Sequence, residues 1–329
     1  MPANQSGLGG QLTIGKESTY GTVVARTRSM QFRSENVKGR RNFLNSRQIS
    51  GGEMFQRSSR RDQTTRDASG PLTLEVPTKG FGLFLDQLHG NTVTPVQQAA
   101  TTAYLQTHNI GLTDPSAKSL SMQIGRPQTS GAVSPFTFQG VKVTAATFRL
   151  ALNEFLTCEL QLDAQDEVTN VALDSYAPAA GLGSFTFMNG VITVDGSPAG
   201  RVTEITIPIS FAYDLERWGV GSGATKSNPI TNDYPTSNPT ITVDWASTTL
   251  RDNWVNGANS ALVLDCTRNT IASTYKEQIK FTMAAVGYNG DDPTVDGPGV
   301  LNQQIPFELL YDGTNAPLKI EYQSTDTTL

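Results

Sequence analysis

The sequence predicts a mainly β protein made of two tandem β-sandwich or barrel modules, each with a short flanking helix and a long hairpin or loop. Three observations carry this reading. Apolar and polar residues alternate in many short runs, such as Arg28-Ser-Met30-Gln-Phe32 and Glu159-Leu160-Gln161-Leu162-Asp163, the period-2 pattern of strands with one buried face. The 30 glycines and 17 prolines in 329 residues supply the turns that short strands need. A unit of proline, alternating strand and helix closed by glycine also occurs twice, from Gly70-Pro71 to Gly90 and from Asn238-Pro239 to Gly257.

Along the chain, residues 1–24 are rich in Gly, Ser and Thr around Leu12-Thr-Ile14 and read as a short strand or arm that a partner would order. A strand follows over 28–34. Residues 38–68 are polar and Arg-rich; Phe43, Leu44, Ile49, Met54 and Phe55 are their only sizeable apolar side chains. That is too little for a core and too long for an ordinary loop, so a projecting hairpin or a segment that orders on assembly is expected. The strand at 72–76 stops at Pro77, and 80–88 reads as a short helix ended by Gly90. Strands are expected at 119–124, 141–152 and 158–163, and the Gly/Ala/Pro-containing stretch 165–183 reads as a connection.

The second half gives strands at 185–187, 191–194, 202–213, 241–243, 261–265, 279–285, 305–310 and 318–322. In each half an alternating strand precedes a long polar stretch, 38–69 or 219–237, and then the proline-strand-helix unit. The expected division is a first module at 1–168 with the N-terminal arm and the Arg-rich loop, a linker at 169–180, and a second module at 181–329.

Charge is divided unevenly between these parts. Residues 1–168 carry 17 Lys/Arg and 13 Asp/Glu, and 169–329 carry 8 and 17, giving +4 and −9 within a net −5. Opposite signs on one chain favour head-to-tail contact between copies. Cys158 and Cys266 cannot form a disulfide framework or a four-cysteine zinc site; both lie in apolar or alternating runs, as buried thiols do, and suit a reduced cytosolic setting. The start of the chain has neither a basic region nor an apolar core, and no apolar run approaches 18 residues, so neither a signal peptide nor membrane insertion is expected.

Catalytic signatures are missing from the sequence: there is no G-x-x-x-x-G-K-[ST], H-E-x-x-H or G-x-S-x-G. The expectation is a protein that is not an enzyme and that needs no cofactor or metal. His89, at a helix end where a cation is mildly favoured, and His108, in a polar segment, lack metal-ligand spacing. Asp291, Asp292 and Asp296 offer oxygens to calcium without EF-hand spacing and fit a polar turn better. Trp218, Trp245 and Trp254 suit stacking platforms less well than buried or interface positions.

Three stretches then resemble the tail tube proteins of long-tailed bacteriophages. They are Ile14-Gly-Lys-Glu-Ser-Thr-Tyr-Gly21 with the Arg-containing strand up to Ser34-Glu35; Asp67-Ala-Ser-Gly-Pro-Leu-Thr-Leu-Glu-Val-Pro-Thr-Lys-Gly-Phe-Gly-Leu83; and Pro306-Phe-Glu-Leu-Leu-Tyr-Asp-Gly-Thr-Asn-Ala-Pro-Leu-Lys-Ile-Glu-Tyr322. The resemblance implies a structural virion subunit whose sheet joins those of its neighbours around a channel for DNA. Many family members have one module and form six-membered rings, so a duplicated chain implies a homotrimeric, pseudo-hexameric ring stacked into a tube. It further implies a tape-measure protein and DNA in the lumen, tail terminator and distal tail proteins as neighbours, and assembly in the host bacterial cytoplasm.

Within this reading Arg40, Arg41, Arg47, Arg57, Arg60, Arg61 and Arg66 are the expected inter-subunit or inter-ring contact, with acidic partners from the second half. The rival role for them is phosphate binding, which would hinder DNA sliding through a tube. The alternative function for the whole chain is a β-sandwich binding or adhesion module on a virion surface.

Overall fold

The computed structural model describes residues 6–49, 51–290, 292–295 and 297–329. The mainly β expectation holds: the described residues form antiparallel sheets with two short helices, α1 (Gly82–Asp86) and α2 (Thr249–Val255). One long sheet runs from the first half into the second. Its strands are Lys38–Asn45, Arg61–Glu75, Thr157–Ala164, Val133–Ala151, Val202–Ser210, Thr240–Asp244 and Asn302–Leu310, each antiparallel to the next. The halves meet where residues 145–151 pair with 204–210, from Ala145↔Ser210 to Ala151↔Glu204.

The same chain of pairings occurs on both sides of that meeting. In the first half Gln11–Lys16 pairs with Leu120–Pro127, then Val133–Ala151, then Thr157–Ala164, then Arg61–Glu75. In the second, Gly190–Val194 pairs with Asn259–Ala272, then Tyr275–Tyr288, then Asn302–Leu310, then Thr240–Asp244. Both central strands, Val133–Ala151 and Tyr275–Tyr288, are long because each pairs with several strands along its length, four and three respectively, a device that folds a sheet over its own core. Tyr104–Ile110 of the first half adds a second junction by pairing along Leu318–Ser324.

Local chemistry explains the main bend. Gly70, with φ of 156°, lets Arg61–Glu75 pass the carbonyl of Asn36, which would lie 2.0 Å from any Cβ placed there. The strand can thereby pair with Lys38–Asn45 on one side of the bend and with Ser34–Glu35 beyond it.

Several expected boundaries move. The Arg-rich stretch is a hairpin, and the first helix is the five residues of α1, all of them buried. Residues 185–187 are not a strand: Thr186 and Asn189 cap each other around a 3-10 turn, Phe187–Asn189, which satisfies the backbone locally. Tyr104–Ile110 escaped detection because its buried face carries Gln106 and His108 beside Ile110, so alternation of polarity is lost while alternation of burial remains.

A single hydrophobic cluster spans both halves. At its centre Phe148 lies 4.8 Å from Phe281 and 6.2 Å from Phe81, which is itself 6.4 Å from Tyr322, all ring centroid to ring centroid. Since Phe148 and Phe81 come from one half and Phe281 and Tyr322 from the other, their contact fixes how the halves meet. Phe148→Ala is expected to lower stability by about 3–5 kcal/mol, read as a shift in the urea midpoint with the slope unchanged.

Candidate functional site

Lys38–Asn45 is exposed at all eight positions, so the hairpin it makes with Arg61–Glu75 projects from the body. Beyond its base, Ile49, Met54 and Phe55 are nine-tenths exposed or more, and Leu44 two-thirds. Apolar groups are thus gathered in the open on a projecting arm.

The arginines divide by position. At the base, Arg40 forks onto Asp67, which raises its already high pKa, and Arg66 sits 2.9 Å from Asp166 with Arg41 at 3.7 Å. These carboxylates belong to the first half of the same chain. Further out, Arg57 holds Glu53, Arg60 donates to Gln48 at 2.8 Å, Arg61 lies 4.0 Å over the Phe43 ring, and Arg47 is exposed. The partners of Arg57, Arg60 and Arg61 named here all lie on the arm itself.

The long polar stretch of the second half behaves differently. It folds across the first half and is pinned there by Lys226, whose ammonium is fully buried 2.5 Å from Asp163 and 3.4 Å from Asp67. Burial lifts the Asp163 carboxyl above the ordinary carboxylate range, and Lys226 pulls it back. Arg66 N–H donates to Ala224 O, Asn228 donates to Ser116 O, and Thr231 donates to Asp114. Lys142, also buried, donates to the carbonyls of Ser116 and Lys118 and stands 5.7 Å from the Tyr213 ring; burial pushes its pKa down to about 8.

Sequence separation hid a second polar cluster. His89 Nε2 and His108 Nδ1 are 2.9 Å apart and both rings are fully buried, against the expectation of a helix-end cation and a polar-segment residue. Burial holds His89 down at about 4 with help from Lys118 and Lys16, opposed by Asp86, and pushes His108 well below its usual value. Both are thus neutral at pH 7, one ring donating to the other. Spacing rules could not find this pair, and Tyr104–Ile110 shows no alternation of polarity that would have marked His108 as buried.

Among the described residues no group of three or more His, Cys, Asp or Glu side chains is arranged for a metal. Of the three aspartates weighed for calcium, Asp291 and Asp296 lie outside the described residues, and Asp292 pairs with Arg251 at 2.7 Å. Cys158 and Cys266 are buried and unpaired by disulfide; Trp218, Trp245 and Trp254 are half-buried.

Two outcomes follow from these buried charges. Lys226→Ala, which leaves two carboxylates buried without their cation, is expected to cost about 3–5 kcal/mol and to speed amide hydrogen exchange across 214–231. Because the folded pKa values of the histidines lie below the unfolded value of about 6.5, their stabilising effect is complete above that pH. It is lost as pH falls towards about 4. The melting temperature should accordingly drop between pH 6.5 and 4, less steeply in His89→Gln, and an unchanged slope in that variant would assign the loss to other groups.

No curated protein matches the chain. A family model described as "Phage tail tube protein" does match it, over residues 7–309, which takes in both halves of the long sheet, the projecting hairpin and the buried clusters. With nearly the whole sequence covered, the chain belongs to the phage tail tube proteins, structural components of the virion tail.

Proposed function

We propose that this tail tube protein is a duplicated form, with modules 1–168 and 181–329 joined by 169–180, and that three copies close a pseudo-hexameric ring. Rings stack into a tube whose channel holds the tape-measure protein and then passes DNA during ejection. The tube forms in the host bacterial cytoplasm, bounded by terminator and distal tail proteins.

The observation that carries this is the ladder between residues 145–151 and 204–210, flanked by the same succession of pairings on each side. A junction of this kind inside one chain is a template for the junction between chains. The long sheet also has an open end: among the described residues Lys38–Asn45 has a strand partner on one side only. Open sheet edges invite pairing, and closure of a ring removes them. Stacking along the axis is then a heterologous contact, which propagates as an open tube.

In this arrangement the distal arm, with Arg47, Arg57, Arg60 and Arg61 beside Ile49, Met54 and Phe55, reaches the neighbouring subunit or ring. Arg40, Arg41 and Arg66 brace its base. The acidic second half supplies the partners, and the arginines face protein and not the lumen.

Electron microscopy of purified protein at rising concentration is expected to show hollow tubes, with three chains per ring in a reconstruction; six identical chains per ring would refute the duplicated form. Arg60→Glu with Arg61→Glu is expected to stop stacking at isolated rings. Normal tubes from that variant would remove these two residues from the contact.

A further inference from the structure

Three lysines are buried among the described residues, Lys118, Lys142 and Lys226, and their partners differ. Lys118 spends its protons on Asp86 Oδ1 at 2.7 Å, Asp86 O at 2.9 Å and Asn91 O. Lys142 donates to the carbonyls of Ser116 and Lys118. Lys226 meets no carbonyl: its ammonium touches Asp163 Oδ1 at 2.5 Å and Asp67 Oδ2 at 3.4 Å, with the Trp218 ring 5.5 Å away. An ammonium has three protons to place, and this one has two acceptors, one of them distant.

The carboxylate opposite is short of donors in turn. Asp163 Oδ2 is buried with no hydrogen-bond partner, and so is the hydroxyl of Tyr20, on which Asp163 is the strongest neighbouring charge. Asp67 is better supplied, because Arg40 forks onto both of its oxygens. Two buried charges with unmet donors and acceptors keep a desolvation cost that their attraction only partly offsets. Exclusion of water therefore favours the neutral amine and acid over the ion pair, and burial does raise the Asp163 carboxyl, with Lys226 opposing.

We propose that Lys226 and Asp163 join in an isopeptide bond, made by the folded chain itself with Asp67 as the base. Asp67 takes a proton from the ammonium, and the freed Nζ attacks Asp163 Cγ. The Nζ–Cγ bond forms and the Cγ–Oδ1 bond breaks; the departing oxygen leaves as water with two protons from the nitrogen, one of them carried by Asp67. Asp67 ends ionised as it began, still held by Arg40. One cation and one anion disappear together, so the buried charge stays balanced. The amide needs only one acceptor for its N–H, which Asp67 provides, and one donor for its oxygen, which the protonated Tyr20 hydroxyl can supply. Residues 63 positions apart are then covalently tied, and the second-half stretch is fixed to the sheet beside the base of the arginine hairpin.

The test is the intact mass of the purified wild-type chain after denaturation, followed by tandem mass spectrometry of its digest. A mass one water below the sequence value is expected, with a branched peptide joining Asp163 to Lys226. Lys226→Arg and Asp67→Asn, each checked for folding by circular dichroism, should show the full mass. Folded wild-type protein at the full mass overturns the bond and leaves an ion pair. So does a loss of water that persists in Lys226→Arg, as ring closure at Asp195-Gly196 or Asp312-Gly313 would give. Should neither variant fold, the presence or absence of the branched peptide in the wild type decides alone. A bond retained in folded Asp67→Asn overturns the part given to Asp67.

Discussion

Backbone hydrogen bonding between residues 145–151 and 204–210 is the constraint on which the rest of the molecule depends. A strand in the middle of a sheet must satisfy donors and acceptors on both sides, and Val133–Ala151 does so with Thr157–Ala164 on one side and Val202–Ser210 on the other. That one ladder sets the register of the second half against the first. It also places Phe148 where Phe281 can meet it, so the apolar core inherits its continuity from the backbone.

Two polar excursions leave this sheet, and their different fates are electrostatic. The second-half excursion ends in a buried lysine between two buried carboxylates, an arrangement that tolerates no loose fit because each unpaired charge would be costly. The first-half hairpin holds its base by arginine–carboxylate forks that remain partly wet and keeps its tip apolar and uncovered. One excursion is therefore finished within the chain and the other is not. That asymmetry is what supports the proposed role of the hairpin in contacts between copies.

Much of the fold could be read directly from the sequence where burial and polarity agree. Leu72, Leu74 and Val76, or Leu160 and Leu162, alternate cleanly and lie on buried faces. The proline-strand-helix repeat at Pro71 and Pro239 pointed to elements that do take equivalent places in the pairing order. Legibility failed where polar groups are buried against one another. His108 and Gln106 put polar side chains on a core face where Ile110 is the apolar member, and Lys226 meets Asp67 and Asp163 across separations no local pattern registers. The 3-10 turns were missed for another reason: a turn whose caps are a serine in one half and a threonine–asparagine pair in the other shares a role without sharing a motif. The arginine cluster was visible as composition, but its division into members bound to the body of the molecule and members further out along the arm needed coordinates.

The loan of Tyr104–Ile110 to Leu318–Ser324 carries a consequence for synthesis. While the chain emerges from the ribosome, this early segment pairs only in part, with Val96–Gln97, until residues 318–324 have been made. The first half consequently reaches its final form only once that later strand is available. A truncated product would keep that gap and the unfilled centre around Phe81, so unfinished polypeptides differ in shape from finished ones before either meets a growing tail.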